Sequence, residues 1–132
     1  MNNEQLPKES IEIARYLVEC AQASNPEPQT YSDVCRVMKS RHKRSHTPQE
    51  LGSYLDPINK TSYSRASVLL SVLVVNKETR IPGSGFFVLA AYLHGDQSLL
   101  DSDSWKIFYN EEIKRVYESA RNGKLNFFKD EK

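Results

Sequence analysis

The sequence predicts a mostly α-helical domain with one small β element, and three observations carry that expectation. Apolar residues recur at helical spacing in the first third of the chain and again in the last part. Two segments, Thr30 to Asp33 and Thr47 to Glu50, open with capping-box signatures of helix starts. Only Val68 to Val75 is a long uninterrupted apolar run, and its β-branched and leucine content suits a strand buried on both faces. A chain of 132 residues is expected to fold as a single domain, 1–132, with an apolar core that needs no covalent staples.

Taken in order, Leu6-Pro7 followed by Lys8, Glu9 and Glu12 predicts a first helix over 7–23. Proline near the first turn loses no hydrogen bond, and acidic side chains meet the positive end of the helix dipole. Ile11, Ala14, Leu17, Val18 and Ala21 form its apolar face, and Asn25-Pro26-Glu27-Pro28 ends it. Behind the Thr30 cap, Tyr31, Val34, Cys35 and Met38 mark the buried side of a second helix, which runs out between Lys39 and Ser45. Thr47, Pro48 and Glu50 supply cap, first-turn proline and third-position carboxylate for a third helix with Leu51 and Leu55 facing inward. Asp56-Pro57 is expected to close it, and the polar residues Thr61 to Ser67 to form a turn before the strand.

Asn76 to Thr79 breaks the apolar run with turn chemistry, and Ile81 to Gly85 forms a second, stiffer turn. Ser84 is expected to cap a buried helix carrying Phe86, Phe87, Leu89, Ala90 and Leu93. His94 to Ser104 reads as a polar loop containing Leu99 and Leu100. Trp105, Phe108, Tyr109, Ile113, Val116, Tyr117 and Ala120 then define an amphipathic helix over 104–121, stopped by Asn122-Gly123. Leu125, Phe127 and Phe128 form a short apolar tail.

Composition excludes more than it selects. The formal net charge is only +1, but it is unevenly spread: residues 1–35 carry two positive and six negative charges, and residues 36–65 carry seven positive and two negative. The second segment can therefore face an anion while the whole molecule stays near neutral. The first residues, MNNEQLPKES, have neither an apolar leader nor an arginine-rich presequence, so a cytoplasmic location is expected. No apolar run reaches the roughly 18 residues of a membrane span. Cys20 and Cys35 read as reduced core thiols, since their spacing fits no zinc motif. His42 and His46 are four apart without accompanying ligands, and Gly83-Ser84-Gly85 lacks the length of a phosphate-binding loop. No metal and no cofactor are expected. Nor is an enzyme, because no nucleophile with a base and no paired carboxylates stand out.

Helix, helix, capped helix, strand and tight turn follow one another in the order of a winged helix, with its core over 30–85 and flanking helices at both ends. In such a module the helix beginning at Thr47 would enter a groove of duplex DNA. Its reading positions would be Gln49, Ser53 and Tyr54, while Arg41, Lys43, Arg44 and His46 approach phosphates. Lys77 and Arg80 would reach an adjacent phosphate as a small wing. The expected function is a non-catalytic nucleic-acid-binding module. The alternative is a protein-interaction module, an inhibitor or regulator of a mobile genetic element, whose basic segment meets an acidic protein surface.

Three short runs carry a resemblance: Thr30-Tyr31-Ser32-Asp33-Val34, Leu51-Gly52-Ser53-Tyr54-Leu55 and Leu70 to Asn76. Together they resemble the winged-helix domain of DNA alkyltransferases and alkyltransferase-like proteins, which carry T-Y-G-D, A-V-G-x-A-L and P-C-H-R-V-V-N at these places. Val74, Val75 and Asn76 match the end of the last motif, but Ser71 stands at the nucleophilic cysteine, Val72 at the histidine and Leu73 at the arginine. The arginine at the start of the family's reader helix has Gln49 or Glu50 in its place. The resemblance implies the winged-helix fold and excludes the family's alkyl transfer, because a serine without a histidine partner is not an activated nucleophile.

Overall fold

Helices dominate the computed structural model, which describes residues 6–100 and 104–128. In chain order these residues form α1 (Lys8–Gln22), β1 (Gln29–Thr30), α2 (Tyr31–His42), α3 (Pro48–Ala66), β2 (Val74–Val75), α4 (Ser84–His94) and α5 (Ser104–Arg121). The β element is smaller than an eight-residue strand would make it: β1 and β2 pair in parallel, Gln29 with Val74 and Thr30 with Val75. Among the described residues, no helix is long and apolar enough to cross a membrane.

Both capping boxes form. Thr30 Oγ1 accepts from the Asp33 amide at 3.0 Å while Asp33 Oδ2 accepts from the Thr30 amide at 3.2 Å. The Thr47–Glu50 box repeats this at 3.1 and 3.0 Å, with Pro48 opening the first turn of α3. Thr47→Ala is expected to cost about 1 kcal/mol, read as a lower urea midpoint at unchanged slope.

Two expectations are corrected here. α3 does not close at Asp56-Pro57 or turn after Thr61; it runs on to Ala66 and ends at Ser67, which adopts the left-handed conformation at φ 60°. Pro57 removes only the bond to the Ser53 carbonyl, and burial of Ile58, Asn59 and Ser62 holds the next two turns in the helix. Second, Val68 to Val75 is buried throughout, yet only Val74–Val75 is strand; Leu70–Leu73 is a 3-10 turn. β1 is too short to pair with more of the run. Side chains take the place of a neighbouring strand: Ser62 Oγ donates to the Val68 carbonyl at 2.7 Å and accepts from the Leu70 amide at 3.1 Å. Asn59 Oδ1 accepts from the Ser71 amide at 2.9 Å and Glu112 Oε2 from the Leu69 amide at 2.6 Å. Buried backbone groups must be paired, and three polar residues of α3 and α5 pair them.

The core gathers around that segment. Leu69, Leu70, Val72 and Leu73 are fully buried together with Ile13, Ala14, Leu17 and Ala21 of α1, Val34 and Met38 of α2, and Leu51, Leu55 and Ile58 of α3. α4 adds Phe86, Phe87, Ala90 and Ala91, and α5 adds Val116 and Ala120. Ser84 is not the cap of α4: Gly83 holds that position, its amide donating to the Tyr31 hydroxyl at 3.0 Å, and Ser84 is the first helical residue. Gly95, at φ 65°, ends α4 in the left-handed conformation that glycine adopts without steric cost. The segment after it contains a 3-10 turn, Gln97–Leu100, that buries Leu99. Trp105, Phe108 and Tyr109 are half-buried at the core's edge, with the Trp105 ring 5.6 Å from Phe87. Cys20 and Cys35 are free and half-buried, not deep core thiols.

Candidate nucleic-acid interface and the adjoining cleft

The capped start of α3 leaves Gln49, Glu50 and Ser53 exposed on its first two turns. Between them Gly52 has nothing within 4 Å of the place a Cβ would occupy, so the helix surface is low and open there. A polar depression of about 460 Å³ lies to one side and brings together Lys43, Arg44, His46, Ser53 and Tyr54 with Glu9 and Glu50. A larger cleft of about 530 Å³ is lined from α3 by Gln49, Gly52, Asp56 and Asn59, and from α4 by Ser84 and Gly85, with Tyr31, Ser71 and Asn76 completing its walls.

The nine residues expected to touch nucleic acid do not form one surface. Lys43 is exposed at the left-handed C-cap of α2, and Gln49 opens onto the larger cleft. Tyr54 is half-buried against the His46 ring at 5.1 Å, and His46 Nε2 is buried without a hydrogen-bond partner among the described residues. Ser53 is exposed, but its hydroxyl donates to the Glu50 carbonyl at 2.8 Å. Lys77 and Arg80 are exposed on a turn closed by Asn76 N–H to the Ile81 carbonyl, 2.8 Å, and Arg80 N–H to the Asn76 carbonyl, 2.9 Å. Burial pushes the Tyr109 hydroxyl of α5 up and the Arg80 charge opposes that shift, which places Arg80 toward α5 and away from the start of α3.

Two of the expected phosphate-binding residues are already engaged by α1. Arg44 Nε donates to Glu12 Oε1 at 2.7 Å and its Nη2 to Oε2 at 3.2 Å; Glu9 lies 3.6 Å away. Glu12 is only 7% exposed and also has His42 Nδ1 at 3.6 Å. Burial alone would raise the Glu12 carboxyl, but Arg44, with His42 and Lys8, holds it below the ordinary carboxylate range. Arg41 makes a bidentate pair with Glu19 at 3.0 and 3.2 Å, and its guanidinium lies 5.2 Å from the Tyr16 ring centroid. These two attachments differ in kind. The Arg41–Glu19 pair is open to solvent on both sides, and pairs of that sort contribute about 0–1 kcal/mol. A phosphate can compete for Arg41, whereas Arg44 is fastened to a carboxylate that has little water of its own. Reading the sequence alone misses the α1 carboxylates. A signal for them exists: Glu9, Glu12 and Glu19 recur on one helical face, and the acidic first 35 residues complement the basic segment that follows.

Ser71, which stands where the resembling family has its nucleophile, lines the larger cleft but is 2% exposed. Its hydroxyl accepts from Asn59 Nδ2 at 2.7 Å, and its amide donates to Asn59 Oδ1. The residues lining the cleft include no histidine or lysine that could serve Ser71 as base. The cleft offers hydrogen-bonding groups and one carboxylate, Asp56. Burial raises the Tyr31 hydroxyl's pKa even though it accepts from the Gly83 amide, so Tyr31 is a neutral group at the cleft wall. Among the described residues, no group of three His, Cys, Asp or Glu side chains is placed to hold a metal ion.

Compared with known proteins, the chain matches no protein-family model, and no curated protein or solved structure is significantly similar to it.

Proposed function

We propose that the chain is a non-catalytic nucleic-acid-binding module, with duplex DNA its favoured ligand, that meets its target with the N-terminal half of α3. The observation carrying this reading is the exposed, capped start of α3, where Gln49 and Ser53 flank the open Gly52 and Lys43 stands at the edge. A surface without a Cβ lets a groove wall or sugar–phosphate backbone come close, and a glutamine side chain can pair with an adenine edge. Glu50 is a smaller obstacle than its charge implies, because one of its oxygens is held by the Thr47 amide. The order α2, α3, β2 and the closed turn Asn76–Ile81 supports a winged-helix core over 30–85 in which the wing is that single turn. The likeness to alkyltransferase winged-helix domains supports the same ligand class, and Ser71 without a base argues against their chemistry. The interface is then Lys43, Gln49, Ser53 and Lys77, with Arg41 joining when phosphate displaces Glu19.

A fluorescent duplex titrated at salt concentrations from about 50 to 200 mM tests this, because counterion release makes log affinity fall linearly with log salt. Replacing Arg41 and Lys43 by alanine should weaken all sequences alike and lower the salt slope by about 1 for each phosphate the protein ceases to neutralise. Arg44→Ala should leave the slope unchanged, since its guanidinium serves Glu12. Gln49→Ala should alter the preference between sequences. Absence of salt-dependent binding at low micromolar protein would sink the proposal and favour a protein-interaction or regulatory module. One observation speaks for that second reading: Val88, Tyr92, Leu100 and Ile107 are large apolar side chains left exposed.

A further inference from the structure

α4 belongs to an uncharged stretch: no Asp, Glu, Lys or Arg stands between Arg80 and Asp96 in a chain of which 27% is charged. Its inner side, Phe86, Phe87, Ala90 and Ala91, closes the core. Its outer side carries Ser84, Gly85, Val88 and Tyr92, with Val88 58% and Tyr92 75% exposed. A helix apolar on all sides is ordinarily a buried helix, and the core accounts for only one side of this one. The uncovered surface continues into a groove of about 370 Å³ that Val88 shares with Ile81, Pro82, Leu100 and Trp105. Leu100 at its rim is 49% exposed.

We propose that this face is the interface of a symmetric homodimer in which α4 packs antiparallel against α4 of a second copy. The spacing of the chain's own residues identifies the occupant. An isologous interface must be self-complementary about its two-fold axis. With that axis beside Val88, Tyr92 falls over the partner subunit's Ser84 and Gly85, four and three residues before Val88 as Tyr92 is four after it. Gly85 has nothing within 4 Å of its missing Cβ, so the space above it admits an aromatic ring. Ser84, exposed at the same place, offers the Tyr92 hydroxyl a polar neighbour. The same axis sets Arg80, eight residues before Val88, opposite the partner's Asp96, eight residues after it. Both are exposed, and two hydrogen bonds from Ser98 hold the Asp96 carboxyl below its ordinary range and therefore charged. A parallel pairing would instead set Arg80 against Arg80 and Asp96 against Asp96. Net charge does not oppose the association, being +1 per chain.

The apolar surface offered by Val88, Tyr92 and Leu100 is roughly 300 Å² per copy, enough to mark an interaction patch but short of the roughly 800 Å² per partner of a standard stable interface. The dimer is therefore weak and reversible, with a dissociation constant of tens of micromolar.

Sedimentation velocity of the full chain over a range of about 5 to 300 µM reads this directly. The expected result is a mass rising from 15.2 kDa toward twice that value with concentration. Tyr92→Asp and Val88→Asp should each weaken association about tenfold or more while leaving the melting curve unchanged, because both side chains are exposed in the monomer. Arg80→Asp and Asp96→Arg should each weaken it, and the two together should restore it, which only an antiparallel pairing does. Three results would overturn the proposal: a monomer at every concentration, a dimer that survives Tyr92→Asp, or reversals that fail to rescue each other. The first leaves the face to a different protein, and the second assigns self-association to another surface. Nucleic-acid binding enters none of these readings.

Discussion

Replacing Glu112 by alanine is expected to cost about 3 kcal/mol, among the largest effects of any polar substitution in this chain. Glu112 is fully buried on α5, and its Oε2 accepts from the Leu69 amide while Oε1 accepts from Arg115 Nη1 at 2.7 Å. The Leu69 amide stands just before the 3-10 turn, beyond the reach of the two-residue β1, so no strand can replace the carboxylate. Alanine leaves that amide buried and unpaired, about 1–3 kcal/mol, and opens a void where the side chain lay. Glu112→Gln keeps the shape and an acceptor for Leu69, and should cost about 1 kcal/mol.

The same pair of variants isolates a pH effect. Burial pushes the Glu112 carboxyl above its usual 4.5, with the Leu69 amide, Arg115 and His94 opposing only part of the shift. A carboxyl whose folded-state pKa is raised binds its proton more readily in the native state than in the unfolded one. Its contribution is complete below the ordinary glutamate value and is lost as pH rises through the raised one. Urea unfolding of the native chain should accordingly show stability declining with rising pH in that interval. Glu112→Gln should lack this component while keeping the opposite trend that Glu12, with its depressed pKa, adds at lower pH. Parallel pH profiles for the two proteins would show that burial is not what sets the Glu112 equilibrium.

What could be read from the residues alone was whatever is decided locally. The Thr30 and Thr47 caps depend on a side chain and an amide three residues away, and both form as their letters predict. The amphipathic faces of α1 and α5 follow from spacing along one helix. Errors appear where a distant residue decides. Asp56-Pro57 has the local chemistry of a helix end, but burial of Ile58, Asn59 and Ser62 overrides it. Val68 to Val75 has strand composition, but a strand needs a neighbour, and only Gln29 and Thr30 are there to pair. In the candidate site, Lys43 and Gln49 are exposed as expected, because cap and helix phase place them. Arg41 and Arg44 lose their freedom to Glu19 and Glu12, residues 22 and 32 positions away that local reading cannot bring together with them.

Asn59→Ala is the second substitution with a large expected cost, about 3 kcal/mol, and its comparison with Ser71→Ala decides what Ser71 is for. Asn59 is 1% exposed in the middle of α3 and uses both ends of its amide on one residue, Oδ1 on the Ser71 amide and Nδ2 on the Ser71 hydroxyl. Alanine at 59 would strand a buried backbone N–H, remove the hydroxyl's partner and leave a void beside the cleft. Alanine at 71 removes only the hydroxyl: the amide keeps its bond to Oδ1, and Nδ2 alone loses a partner at about 1–2 kcal/mol. The two costs should therefore be unequal, with Asn59 the larger, when both variants are unfolded in urea. If the hydroxyl's work is to hold the cleft wall, folded Ser71→Ala protein should bind nucleic acid like the native chain. Were the serine a nucleophile, the order would invert in function: Ser71→Ala would keep most of its stability and lose the activity outright. With its hydroxyl nearly sealed from solvent and no base among the residues lining its cleft, the wall-holding outcome is the expected one.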